Sequence, residues 1–346
     1  MKMTTRTEKL IKTSTEVAAG TKRNGLHILG MSVAAAALKT CAVIMACILS
    51  SCERKEVHYP SSPTAEVQVR FDRSAAPGAR VEGMCAWFFP EGGGKAIRYD
   101  FTDPAGGTVR IPWGNYRVVC MNNDSEVVQI RGEESYETFE LYTRQSTLLE
   151  AVNSKGNPPG ANPAGEPVVA APDAIWGGNL ENVRLERGDD EKALRTVVLP
   201  VLPKTSTVSL EVLNVENLKY VSSVGASLSG LSGSFFLGSG AFSAVRSTVP
   251  FAAESDGKSK IKVGTQIFGL SANADTKRTL TLYFIFSDGS KHHYRFDVSN
   301  QVNKAPDKRH IRIVIDKLAL PKPIVNGGGF HPSVEEWDAE ERTLKL

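Results

Sequence analysis

The stretch Leu280-Thr281-Leu282-Tyr283-Phe284-Ile285-Phe286-Ser287-Asp288-Gly289-Ser290-Lys291-His292-His293-Tyr294-Arg295-Phe296-Asp297-Val298 decides the fold class. Leu280, Leu282, Phe284 and Phe286 make one apolar face, and Tyr294, Phe296 and Val298 make another. A spacing of two is the period of a β-strand, not the period of about 3.6 that marks a helix. The residues between, Ser287-Asp288-Gly289-Ser290, favour a turn. A two-residue Asp-Gly turn would set Leu282 against Arg295 and Phe284 against His293, placing charge on the core face. A three-residue loop, Ser287-Asp288-Gly289 with Gly289 left-handed, sets 284 against 294, 282 against 296 and 280 against 298. Because a slip of one residue inverts the faces of a strand, the apolar pattern selects the three-residue loop.

The same short alternation recurs outward from this hairpin. Val67, Val69 and Phe71 alternate with polar neighbours, and so do Val208, Leu210 and Val212, and Ile311, Ile313 and Ile315. The apolar run Met84–Phe89 ends at Pro90 and Gly92-Gly93-Gly94; Val109 and Ile111 lead through Pro112-Trp113-Gly114-Asn115 into Tyr116, Val118 and Cys120. No long helical period interrupts this pattern, and turn signals at such spacing predict an all-β protein of sandwich or barrel type. The chain has 346 residues, enough for two domains of roughly 100–200 residues each. The division expected is 65–193 and 194–346. The Pro/Gly-rich stretch 153–167 is expected as a long exposed loop of the first domain, and 321–346 as a terminal segment of the second.

The net charge of +3 belongs to the beginning of the chain. Residues 1–51 carry seven Lys/Arg and two Asp/Glu, which leaves 34 basic against 36 acidic residues beyond them. No basic patch invites nucleic acid. Residues 40–49 form an uncharged, mostly apolar run behind Lys39, the pattern of a secretory signal and too short for a span of about 20 residues. Leu49, Ser50, Ser51 and Cys52 resemble a bacterial lipobox. The small residues admit the peptidase, and the Cys52 thiol then accepts a diacylglyceryl group that anchors the chain in a membrane. Residues 1–51 are accordingly expected as a cleaved lipoprotein signal peptide and 52–64 as a lipidated tether. Cys41 and Cys47 would leave with the signal. For Cys85 and Cys120, a disulfide and two separate buried thiols are the open alternatives.

The residues assemble no catalytic constellation. There is no nucleophile elbow, phosphate loop or paired-cysteine zinc spacing, so no enzyme, cofactor or metal site is expected. His292 and His293, if on a strand, point to opposite faces and cannot chelate one ion together. Asn122-Asn123-Asp124-Ser125-Glu126 offers oxygens in close sequence, but its spacing is that of a side-chain-capped turn rather than a calcium loop. Trp87, Trp113 and Trp176 read as core or loop-anchoring aromatics. Glu335-Glu336-Trp337-Asp338 reads as a terminal strand, with a glycan platform as the alternative use of such residues.

The lipobox, the short tether, the strand Glu66–Phe71 and the run Ile111-Pro112-Trp113-Gly114-Asn115-Tyr116-Arg117-Val118-Val119-Cys120-Met121-Asn122-Asn123-Asp124 together resemble the fimbrillin-like lipoproteins of anaerobic Gram-negative bacteria. The likeness is greatest to a branch known only as a domain of unknown function. It extends over roughly 57–180, takes in Pro172-Asp173-Ala174-Ile175-Trp176 more loosely, and weakens over 194–346. The resemblance implies two transthyretin-like β-sandwich domains and a non-enzymatic, outer-membrane role as pilus subunit, anchor or adhesion-related surface protein. Its implied partners are the membrane, other fimbrillin-like subunits joined by strand addition, and, in the alternative of a carbohydrate-binding surface lipoprotein, host or bacterial surface glycans. It also implies that a protease cut near the first strand, after Arg70, Arg73 or Arg80, could open a groove for a neighbour's strand.

Overall fold

A computed structural model describes residues 63–154, 158, 160–162, 165–187, 194–271 and 276–323, and the backbone of 338–341. The chain is all-β, as its alternation predicts. In the first core, β1 (Thr64–Asp72) lies between β4 (Gly106–Pro112), which is antiparallel to it, and β9 (Arg195–Pro200), which is parallel. A second sheet shares this core, in the order β10 (Leu202–Pro203), β8 (Trp176–Leu185), β5 (Gly114–Asn122), β2 (Met84–Pro90) and β3 (Ile97–Phe101). Val67, Val69 and Phe71 from one sheet pack with Met84, Phe88 and Val118 from the other.

The unbroken apolar run of β2 reflects burial on both faces. Met84, Ala86 and Phe88 face the first core, while Cys85, Trp87 and Phe89 face a third layer. That layer is a small sheet in the order β14 (Ala241–Phe242), β13 (Ser234–Phe236), β7 (Glu140–Tyr142) and β6 (Gln129–Arg131). Its strands come from both halves of the sequence.

The second core lies between two further sheets. One is ordered β16 (Glu254–Ser255), β17 (Ile261–Ile267), β11 (Ser206–Glu216) and β20 (His310–Ala319). The other is ordered β15 (Arg246–Ala252), β12 (Val221–Ser232), β18 (Thr279–Phe286), β19 (Lys291–Asp297) and β21 (Asp338–Glu341). A short helix, α1 (Ser299–Asn303), follows β19. The Gln301 amide of α1 brackets Val314 at the outer edge of β20, accepting its N–H at 2.8 Å and donating to its carbonyl at 2.9 Å. One side chain thus stands in for a neighbouring strand at an edge where no other described strand pairs.

Three expectations from the sequence change. The 279–297 hairpin has the expected loop: the Phe286 N–H donates to the Ser290 carbonyl at 2.9 Å, and Gly289 is left-handed at φ 83°. Its partners, however, are 284 with 292, 282 with 294 and 280 with 296. A three-residue loop closes on 286 and 290, so every pair lies two residues nearer the turn than the reading above placed it. An even shift keeps the apolar residues on one face, and Leu280, Leu282, Tyr294 and Phe296 all enter the core.

Secondly, β9, read as the start of the second strand set, belongs to the first core through Val197, Leu199 and Val201. Alternation reports that a strand has a buried face, not which sheet receives it. Thirdly, the segment containing the Pro/Gly-rich stretch is not simply exposed. Leu148, Leu149, Val152, Ala161 and Val168 pack on the outer face of β18 around Tyr283.

That segment is locked by charge. The buried Glu166 carboxylate accepts the Gly230 N–H at 2.7 Å and the Thr248 hydroxyl at 3.2 Å, with the Arg246 guanidinium 3.5 Å away. Nearby Arg278 is 1% exposed and donates to Asn303 Oδ1 at 3.0 Å and to Ser271 Oγ at 3.3 Å. Burial draws its pKa down to about 10, an effect the Glu166 charge opposes.

Candidate functional site

The feature most suited to assembly is β1 with the loop that follows it. Its alternation puts Ala65, Val67, Val69 and Phe71 inward, the first three at 0% exposure, and Phe71 meets Phe101 edge-on at 5.2 Å. Burying a side chain of the size of Val or Phe contributes about 1.5–3 kcal/mol, so β1 supplies a large part of what closes the first core. Both of its edges are hydrogen-bonded. Gly106 permits the close approach of β4: its φ is +121°, and a Cβ there would lie 2.0 Å from the Val69 carbonyl oxygen.

The three arginines near this strand differ in access. Arg70 has an exposed side chain, but its backbone pairs with Gly106 on one side and Val198 on the other. Arg73 is half-buried at the head of a turn, its carbonyl accepting the Ala76 N–H at 2.9 Å. Arg80 is exposed in the connection to β2, outside any turn. Proteases bind their substrates as extended chain. An arginine-specific protease is therefore expected to cut after Arg80 first and after Arg73 more slowly, and to leave the bond after Arg70 intact while β1 stays paired. Intact-mass spectra over a digestion time course check the order, and early cleavage after Arg70 would contradict the pairing.

The Asn-Asn-Asp run forms a clasp between distant loops. Asn122 Oδ1 accepts the Trp176 N–H at 2.7 Å, and its amide donates to Asp124 Oδ1 at 2.6 Å. Asp124 Oδ2 accepts the Glu82 N–H at 3.1 Å. Asp173 Oδ2 gathers the Ser125 hydroxyl and the N–H groups of Glu126 and Val127 at 2.9, 2.7 and 3.0 Å. These carboxylates are occupied by donors, which is the geometry of capped turns rather than of a cation cage. Among the described residues, no group of three or more His, Cys, Asp or Glu is placed to hold a metal ion. Asp173 was missed as a partner because it lies far along the sequence. Its place in Pro172–Trp176, the run that loosely shares the family likeness, was the available signal.

The remaining candidates separate. Cys85 and Cys120 are both free thiols, which overturns the disulfide alternative. They sit on neighbouring strands with Ala86 opposite Cys120, so one faces the third layer and the other the first core. Burial pushes both thiols up to about 12. Neither is expected to react with a thiol reagent near pH 8 until the chain unfolds, and a stoichiometric reaction in the native state would count against this placement.

His292 rests edge-on against Phe286 at 5.3 Å on the second-core face, while buried His293 lies near Tyr283 on the other face. Burial, and then the charges of Arg295 and His292, hold the His293 pKa below its usual value. Trp87 is 2% exposed, with the Arg98 guanidinium 4.8 Å over its ring, and Trp113 and Trp176 pack half-buried against the first core. Leu49, Ser50, Ser51, Cys52, His331 and Glu335–Trp337 lie outside the described residues.

A family model, Domain of unknown function (DUF5119), matches residues 51–252. The chain belongs to the DUF5119 family. The DUF5119 match begins at Ser51 and runs to Ala252, the end of β15, so it spans the first core, the third layer and part of the second core. A Bacteroides ovatus protein named as a fimbrium anchoring subunit, Fim4B, is 29% identical over 194 residues, which is 56% of this chain and 53% of that protein. The chain thus spans about half the length of the curated relative it matches. A solved Bacteroides ovatus structure described as an adhesin superposes with a TM-score of 0.57 at 23% identity, covering 75% of this chain and 95% of that one. The two share a fold. The fimbrial anchor protein Mfa2 from Porphyromonas gingivalis superposes with a TM-score of 0.47 at 16% identity, over 72% of this chain and 90% of that one.

Proposed function

We propose that this DUF5119 chain is a non-enzymatic surface lipoprotein that anchors or supports a fimbrium. In this reading Leu49-Ser50-Ser51 precede a lipidated Cys52, a tether leads to β1, and the protein is held at the outer membrane. The observation that carries it is the similarity to a protein named as a fimbrium anchoring subunit, which brings the function from that relative. The two cores correspond, in this proposal, to two transthyretin-like β-sandwich domains, with the first extended to take in β9 and β10.

The integration of β1 favours retention of the lipid. A strand paired on both edges and buried at Val67 and Val69 leaves slowly even after its loop is cut. Retention suits an anchor, because the segment that carries Cys52 stays joined to the fold. The carbohydrate-binding alternative gains no support from Trp87, whose ring is covered.

Mass spectrometry of the mature N-terminus from membranes tests the proposal. A diacylglycerylated Cys52 is expected, with the chain continuous through Arg70, Arg73 and Arg80. An N-terminus trimmed to a residue after one of these arginines would make the chain a polymerising subunit instead. Membrane retention of an unlipidated Cys52→Ser variant would remove the anchor itself.

A further inference from the structure

Lys204 stands where the chain passes from Val201 in the first core to Ser206, the start of β11. Its N–H donates to the Ile175 carbonyl at 2.7 Å, which continues the pairing of β10 with β8 and puts Leu202 and Lys204 on one side of the extended chain. The half-buried side chain runs to the rim of the third layer, where Nζ lies 5.9 Å from the centre of the Phe235 ring. Phe235 in turn meets Phe242 at 5.4 Å. The Arg309 guanidinium reaches the same crossing from just before β20 and donates to the Pro203 carbonyl.

Two features of this surface are unbalanced. Among the described residues, no ion pair joins Lys204 or Arg309 to a carboxylate. Burial, with the nearby charge of Arg309, pulls the Lys204 pKa below its usual value, so the cation is held there at a cost. Alongside, Leu202 is 37% and Phe242 40% exposed. The Phe242 ring is seated against backbone, since a Cβ on Gly269 would come within 2.5 Å of it.

We propose that this surface binds an acidic side chain with an apolar neighbour, presented by a segment of another protein. The carboxylate lies between Lys204 and Arg309, relieving their repulsion, and the apolar residue covers Phe242 and Leu202. A free inorganic anion would meet the first need and leave both apolar side chains in water. Charge complementarity beside an apolar anchor is the combination that concentrates binding energy in a small part of an interface. None of these residues belongs to the lipidation signal or to β1, so this surface is independent of the anchoring proposed above.

The test pans a phage-displayed library of random peptides on the full-length chain and remakes the enriched peptides with a fluorescent label. Enriched peptides are expected to carry Asp or Glu next to an aromatic or aliphatic residue. Replacing that acid by its amide should weaken binding about tenfold, and so should Lys204→Met or Phe242→Ser in the protein. On the unsubstituted chain, bound peptide should slow acetylation of Lys204 by limiting acetic anhydride about tenfold, a readout that needs no folded variant.

The proposal is overturned if no peptide is enriched, if the enriched peptides carry no acid, or if Lys204 reacts equally fast with and without them. A uronic-acid oligosaccharide that protects Lys204 where no peptide does would overturn it in favour of a glycan partner.

Discussion

Val69→Asp is expected to unfold the first core, at a cost of at least about 4 kcal/mol. The carboxylate would enter a position at 0% exposure, in a central strand, among the apolar side chains that make up the described core. Burying an unpaired charge belongs to the short set of mechanisms that exceed the usual range for one substitution. The neighbouring Gln68→Asp is the control. Gln68 is half-buried on the opposite face, where its Oε1 accepts the Thr108 hydroxyl at 2.9 Å. That change should cost about 1 kcal/mol. Urea midpoints for the two variants decide the matter: equal losses would mean that β1 is not packed as described.

Glu166→Ala should be the next most damaging change, at about 3–5 kcal/mol. It removes the acceptor for the Gly230 N–H and the Thr248 hydroxyl, and the negative charge beside Arg246 and the buried Arg278. Removing one member of a buried charged group leaves the others uncompensated, and that penalty dominates. Glu166→Gln keeps an acceptor for the Gly230 N–H and should cost distinctly less. Hydrogen exchange adds a local signature, because the 145–168 segment should lose protection before the strands beneath it. A loss below about 1 kcal/mol with that segment still protected would mean that Glu166 is not its lock.

These two sites also show what the sequence makes legible. Val69 can be identified as a core residue from its neighbours alone, since alternation of Val67, Val69 and Phe71 is a local signal and burial follows it. The hairpin faces are readable for the same reason, and the two-residue error in its register leaves them intact. Glu166 is not readable, because its role depends on Gly230 and Thr248, which distant strands bring to it. The same limit hid the pairing of β9 with β1, the mixed origin of the third layer, and the attachment of the Asn122–Asp124 turn to Asp173 and Trp176. The family motif marked the turn, but not its partners.

The parallel pairing of β1 with β9 has a consequence for how the chain becomes a protein. β1 is the first of the described strands to be synthesised, yet one of its two neighbours is Arg195–Pro200, so the first core cannot close until most of that half has been made. The second core repeats the delay: Ser209 on β11 meets Ile311 on β20, 102 residues later. Such non-local contacts must overcome loop-closure entropy before they return any stabilisation, and chains dominated by them fold in milliseconds to seconds or slower. During that interval Val67, Val69 and Phe71 are exposed as a short apolar segment with strong strand propensity, the kind that associates with other chains before its own partners arrive. The exposed Glu66, Arg70 and Asp72 interleaved with them then act as gatekeepers, protecting the strand while it waits.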